Sequence, residues 1–178
     1  MANYTNKSFV YLFCDPSQDL FKIGYATFIS DLTNQVLKET SSNDIFDLFV
    51  NGLIKMNENF DPMIISNIIE LKYLNYLGVM PILDCCAVCG SNKRIVTISS
   101  SCGGYLCINC YKNEFIVDEK TIKLIRMFNY VDISKIKELN IADKNKNEIN
   151  KFLENYYDRY TGIYLKSKDF LTQLREKY

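Results

Sequence analysis

Apolar residues recur at helical spacing over most of this chain, and the places where that rhythm breaks mark the ends of its elements. One short exception comes first: Ser8-Phe9-Val10-Tyr11-Leu12-Phe13-Cys14 is an apolar and aromatic run that reads as a β-strand, stopped by Asp15-Pro16. Ser17 or Asp19 can cap the next segment, where Tyr25, Ile29, Leu32 and Val36 share one helical face to about Lys38. Thr40-Ser41-Ser42-Asn43 ends it. A second helix begins near Asp44 and carries Ile45, Leu48, Phe49, Leu53 and Met56 on one side. Asp61-Pro62 supplies a cap and a first-turn proline for a third, which holds Ile64, Ile68 and Leu71 and stops at Gly78, with Pro81 beyond. Three helices of this length on short loops predict a compact antiparallel bundle.

Residues 82–117 have another character. They hold six of the seven cysteines, three of the seven glycines and the run Arg94-Ile95-Val96-Thr97-Ile98, which favours a strand. Gly103-Gly104 before Tyr105-Leu106 predicts a hairpin return. After Asp118 the helical spacing resumes through Ile122, Ile125 and Phe128. A last helix is marked by Ile149, Leu153, Tyr156, Tyr160 and Ile163, and Lys144-Asn145-Lys146-Asn147 ahead of it reads as a loop or a frayed helix start. The chain therefore divides into a strand remnant (1–16), a first helical part (17–81), a cysteine-rich insertion (82–117) and a second helical part (118–178).

Length and composition limit what such a chain can do. With 178 residues, 48% of them hydrophobic, it can bury a sizeable core. No apolar run approaches the roughly 18 to 20 residues of a membrane span, and the polar N-terminal segment lacks a signal pattern, so a cytosolic protein is expected. Net charge is zero, but it is unevenly spread: residues 1–119 carry 8 Lys/Arg and 13 Asp/Glu, residues 120–178 carry 13 and 8. The second part is the better candidate to face phosphates or acidic partners; ordinary scatter over solvated helix faces is the alternative. There is no histidine, which removes Ser-His-Asp and Cys-His catalysis and every His-containing zinc site.

Chemistry concentrates in the cysteines. Four of the seven fit Cys86-x2-Cys89-x17-Cys107-x2-Cys110, the spacing of a zinc ribbon. A Cys-x2-Cys turn sets two thiolates on one side of a tight knuckle, and two facing knuckles complete a tetrahedron around one ion at about 2.3 Å. Cys85 could replace Cys86 at x3 spacing, and Cys102 could pair with Cys107 at x4, but only the 86/89 and 107/110 pairs match in both halves. Cys14 and Cys102 read as small apolar residues. Disulfides are disfavoured in a cytosolic chain, a redox motif needs one such pair rather than two, and catalytic zinc needs an open position that four cysteines close. One structural Zn2+ is expected.

Leu77-Gly78-Val79-Met80-Pro81-Ile82-Leu83-Asp84-Cys85-Cys86-Ala87-Val88-Cys89-Gly90, then Gly103-Gly104-Tyr105-Leu106-Cys107-Ile108-Asn109-Cys110, then Leu165-Lys166-Ser167-Lys168-Asp169-Phe170-Leu171 resemble, in order, three motifs of the RecO family of bacterial recombination mediators. Tyr25-Ala26 through Leu32-Thr33 is similar to that family's first helix. The resemblance implies a mainly α fold, a helical bundle with an inserted four-cysteine, zinc-ribbon-like β-hairpin. It also implies an OB-fold barrel ahead of the bundle, of which Ser8–Cys14 could be at most the last strand.

The function implied is that of a DNA repair and recombination mediator, non-catalytic, in the bacterial cytoplasm at the nucleoid. Its implied partners are RecR, the C-terminal peptide of single-stranded-DNA-binding protein, and single- and double-stranded DNA, and its implied tasks are RecA loading and strand annealing. The alternative is a zinc-ribbon adaptor that binds proteins only. Positive charge selects the contact residues: Lys120, Lys123 and Arg126 after the insertion, and Lys166 and Lys168 in the C-terminal motif. The alternative for each is a solvated surface residue, and Tyr156, Tyr157 and Tyr160, at helical spacing, read as core.

Overall fold

A computed structural model describes residues 20–40 and 42–177. The strand expected at 8–14, Cys14 and the Ser17/Asp19 cap lie outside these residues. The described chain is mainly helical: α1 (Leu20–Glu39), α2 (Asn43–Asn57), α3 (Pro62–Tyr76), a hairpin of β1 (Ile95–Ser99) and β2 (Gly104–Cys107), α4 (Glu119–Tyr130), a 3-10 turn (Ile133–Lys135), α5 (Asp143–Tyr160) and α6 (Lys166–Lys177).

Local chemistry sets these boundaries. Ser42 caps α2 by accepting from the Asp44 amide at 3.2 Å, and Asp61 caps α3 by accepting from Met63 N at 2.9 Å, with Pro62 in the first turn. At the far end of α3, Gly78 takes φ +71 while Val79 N reaches back to Leu74 O at 2.9 Å, closing the helix in the way glycine permits. Asp118 caps α4 through the Lys120 amide.

The third helix is the hub. It packs against α1, α2, α4 and α5, and its buried residues run all the way round: Ile64, Ile65, Ile68, Ile69, Leu71, Tyr73 and Leu74, together with Ser66, Asn67 and Glu70. The sequence pattern predicts one-sided packing; the finding is burial on every side from Ile64 to Leu71, because four helices surround it there, and only the last turns open to solvent at Lys72 and Asn75. Its buried phenol is tied in by a hydroxyl pair, Thr33 Oγ1 to Tyr73 OH at 2.7 Å, and burial drives the Tyr73 pKa upward. Since Thr33 Oγ1 also donates to Ile29 O at 2.6 Å, Tyr73→Phe strands no polar group. It should cost only about 1 kcal/mol in urea denaturation.

Two expectations change near the C-terminus. The helix marked by Ile149 and Tyr156 stops at Tyr160, where Gly162 takes φ +64, and Ile163 lies outside it. A further helix, α6, then packs along α1. Lys144–Asn147 belongs to the first turns of α5, and Asn145 is buried there, donating to Thr121 Oγ1 at 2.9 Å. No described helix is long and apolar enough to cross a membrane.

Candidate metal centre

Two tight turns bring four thiols to one point. In the first, Gly90 N donates to Cys86 O at 2.9 Å and Cys86 N to Ser91 O at 2.8 Å, with Gly90 at φ +72 completing the knuckle. In the second, Cys107 ends β2, and Cys110 N and Tyr111 N both donate to Cys107 O, at 3.0 and 2.9 Å. The antiparallel register sets Ile95 opposite Cys107, and Ala87 N donates to Tyr105 O at 2.7 Å, so the hairpin holds both knuckles in place.

The ligand atoms of Cys86, Cys89, Cys107 and Cys110 all lie within 4.8 Å of one another, and the sulfurs of Cys89 and Cys107 are 3.6 Å apart. Sulfurs about 2.3 Å from a shared tetrahedral ion sit about 3.8 Å from each other, so the four cysteines are spaced to hold a metal ion. Cys85 and Cys102 are not in the group, and all six described cysteines are free thiols.

The electrostatics favour a cation at the centre. Burial opposes ionisation of Cys86, but the amides of Cys107, Cys89 and Val88 converge on its sulfur and bring its pKa down to about 6. Cys110 is pushed up to about 12, first by the Cys89 sulfur beside it and then by burial. One thiolate is thus prepared, and the crowding that resists ionisation of Cys89 and Cys110 would be relieved by a shared cation. Four sulfurs would complete the tetrahedral shell of a bound ion, the donor set of structural rather than catalytic metal sites.

Backbone pairing at its entry, a tyrosine hydroxyl and side-chain packing fasten the finger to the helical body. Ile82 N donates to Gly103 O and Tyr105 N to Ile82 O, each at 2.9 Å, and the Tyr105 hydroxyl donates to Ile122 O of α4. The pairing of Ile82 with Gly104 has no signal in the sequence beyond the double glycine.

The five cations singled out by charge fare differently. Lys123 pairs with Glu119 one turn away on α4, and Arg126 meets Asp84 at 3.0 Å, an acid that also accepts from the Tyr130 hydroxyl. Lys168 is held inside the fold: its amine lies 3.9 Å from the buried Glu70 carboxylate, over the rings of Phe28 and Tyr157. Lys120 and Lys166 are exposed and make no ion pair among the described residues.

The family description "Recombination protein O C terminal" matches residues 17–169. A protein named DNA repair protein RecO from Listeria monocytogenes serotype 4b (strain CLIP80459) is 31% identical over 166 residues, which cover 91% of this chain and 65% of the relative. Another of that name from Bacillus pumilus (strain SAFR-032) is 34% identical over 161 residues, 88% of this chain and 63% of the relative. A third, from Bacillus cytotoxicus, is 35% identical over 161 residues, 88% and 65% respectively. The chain thus spans under two thirds of the length of these curated relatives.

Proposed function

The chain belongs to the RecO family of DNA repair proteins, and from that premise we propose that it is a non-catalytic recombination mediator whose four-cysteine finger holds one structural Zn2+. In this reading Cys86, Cys89, Cys107 and Cys110 are the ligands, and the ion welds the hairpin into one rigid block against α4. Thiolates also suit Cu(I) and iron–sulfur clusters, but a single four-sulfur tetrahedron with no histidine fits zinc best.

The mediator would work in the bacterial cytoplasm at the nucleoid, binding single- and double-stranded DNA, RecR and the C-terminal peptide of single-stranded-DNA-binding protein, and so assist RecA loading and annealing. Lys120 and Lys166, exposed and uncommitted, are the contact residues this reading keeps from the charge pattern; Lys123, Arg126 and Lys168 would first have to leave their acids. The observation that carries the proposal is the family match running unbroken across both helical parts and the finger between them.

A salt titration tests it. Binding to a labelled single-stranded oligonucleotide, followed by fluorescence anisotropy, should be measurable at low salt and weaken steeply as salt rises, because released counterions drive such affinity. No binding at low salt would favour the adaptor that recognises proteins only.

A further inference from the structure

From Cys85 to Asn113 the chain has no aspartate or glutamate, although acids and bases balance at 21 each over the whole sequence. Within that stretch lie Lys93, Arg94 and Lys112, all exposed, and among the described residues none of their charged ends makes an ion pair. The nearest acid in sequence, Glu114, turns its carboxylate back to accept from the Lys112 amide at 2.9 Å. This is the reverse of the five cations singled out above, three of which are paired.

The structure gathers these charges at the outer end of the finger. Ile108 N donates to Arg94 O at 3.0 Å, which places Arg94 beside the second knuckle, and Arg94 sits at φ +52, a left-handed bend at the entry to β1. Lys112 follows that same knuckle by two residues. The tips of the knuckles are apolar and open to solvent: Val88 is 62% exposed and Ile108 37%. Four thiolates around a divalent ion would leave negative charge; Cys86 and Cys107 are buried behind these tips, while Cys89 is exposed and Cys110 half-buried, so the three cations also offset an anionic centre that is partly open to solvent. Cations that make no ion pair among the described residues, with Glu114 the nearest acid in sequence and its carboxylate turned onto the Lys112 amide, and aliphatic groups between them form a surface that suits a nucleic-acid backbone whose bases are unstacked. A duplex keeps its base faces stacked and offers Val88 and Ile108 nothing to meet.

Resting on the DNA-binding reading above, we propose that the outer end of the metal finger, with Lys93, Arg94 and Lys112 around Val88 and Ile108, is a contact surface for single-stranded DNA. The metal fixes the spacing of the cations, so the finger serves as a preformed phosphate clamp as well as a structural staple.

The test replaces the charges and leaves the fold: Lys93→Gln, Arg94→Asn and Lys112→Gln together, asparagine being chosen because it tolerates a left-handed backbone. Binding of the full chain to an unstructured oligothymidylate is measured over a range of salt, with metal content as the check on folding. The triple variant should bind more weakly, and its slope of log affinity against log salt should be shallower by roughly 2, at about 0.7 for each phosphate no longer neutralised. If the triple variant loses metal, Lys93→Gln/Lys112→Gln, which leaves Arg94 in place, is measured instead and should reduce the slope by roughly 1.4. Wild-type affinity and slope in a metal-replete variant would overturn the finger surface while leaving DNA binding intact. Equal affinity for a duplex, equally reduced by the substitutions, would overturn its preference for single strands. A wild-type chain that does not bind at low salt would remove the DNA reading itself, and this surface with it.

Discussion

Cys107→Ser should bring zinc content, measured by atomic absorption, well below one per chain and should melt residues 82–117 without unfolding the helical body. The reason lies in how little else holds the finger together. Its own small cluster has only Cys86, Leu106 and Cys107 buried, with Ile95, Cys102 and Cys110 partly so; Leu83, Ile98 and Tyr105 join the continuous core of the helical body instead, so it is the two knuckles that lack apolar support of their own. Six small or medium side chains cannot offset the backbone entropy of ordering two knuckles. A structural zinc can, since it contributes on the order of 10 kcal/mol of apparent binding energy that is also folding energy. Of the four proposed ligands, Cys107 should be the one whose loss hurts most: it ends β2, and its carbonyl accepts two amides of the second knuckle. Hydrogen exchange should therefore accelerate strongly at Ile95–Cys107 and change little in α3. Treatment with a strong chelator should reproduce the same map. An undiminished stoichiometry in the variant would show that the ion is held by a different set of sulfurs.

The four-cysteine set was legible because its physics is local: two x2 turns and nothing else in the chain with matching halves. Helix boundaries were legible for the same reason, being set by Ser42, Asp61, Gly78 and Asp118 acting on their own neighbours. What the pattern could not convey was enclosure. Ser66, Asn67 and Glu70 look like the wet side of α3, and all three are buried, because the number of helices packing around α3 is a property of the whole fold. Lys168 illustrates the consequence. Its position in a polar C-terminal motif suggests a partner contact, yet it reaches Glu70 and two aromatic rings and so joins α6 to α1, α3 and α5. A charge on α6 whose partner lies far back in the sequence, on α3, has no local signature.

Gly104→Ala should be the most damaging single-methyl change in the finger, at about 3 kcal/mol or more, whereas its neighbour Gly103→Ala should cost about 1 kcal/mol. In the sequence the two glycines are indistinguishable members of a turn. In the fold a β-carbon on Gly103, at φ +77, would meet only the Tyr160 hydroxyl at 3.5 Å, leaving backbone strain as the main cost. On Gly104, at φ +157, it would lie 2.3 Å from Ile82 O and 2.8 Å from Ile82 N, atoms of a backbone segment that cannot turn aside. To make room, the segment entering the finger must move away from β2 and give up the bonds from Ile82 N to Gly103 O and from Tyr105 N to Ile82 O. Those bonds, with the Tyr105 hydroxyl on Ile122 O and the Asp84–Arg126 pair, help to fasten the finger to the helices. The metal shell itself is untouched, so Gly104→Ala should keep its zinc while the finger loosens from α4. Urea denaturation together with atomic absorption separates this outcome from that of Cys107→Ser: stability falls in both, but the metal leaves in only one. Equal costs for the two glycine variants would mean that Ile82 does not press on β2 as closely as its hydrogen bonds require.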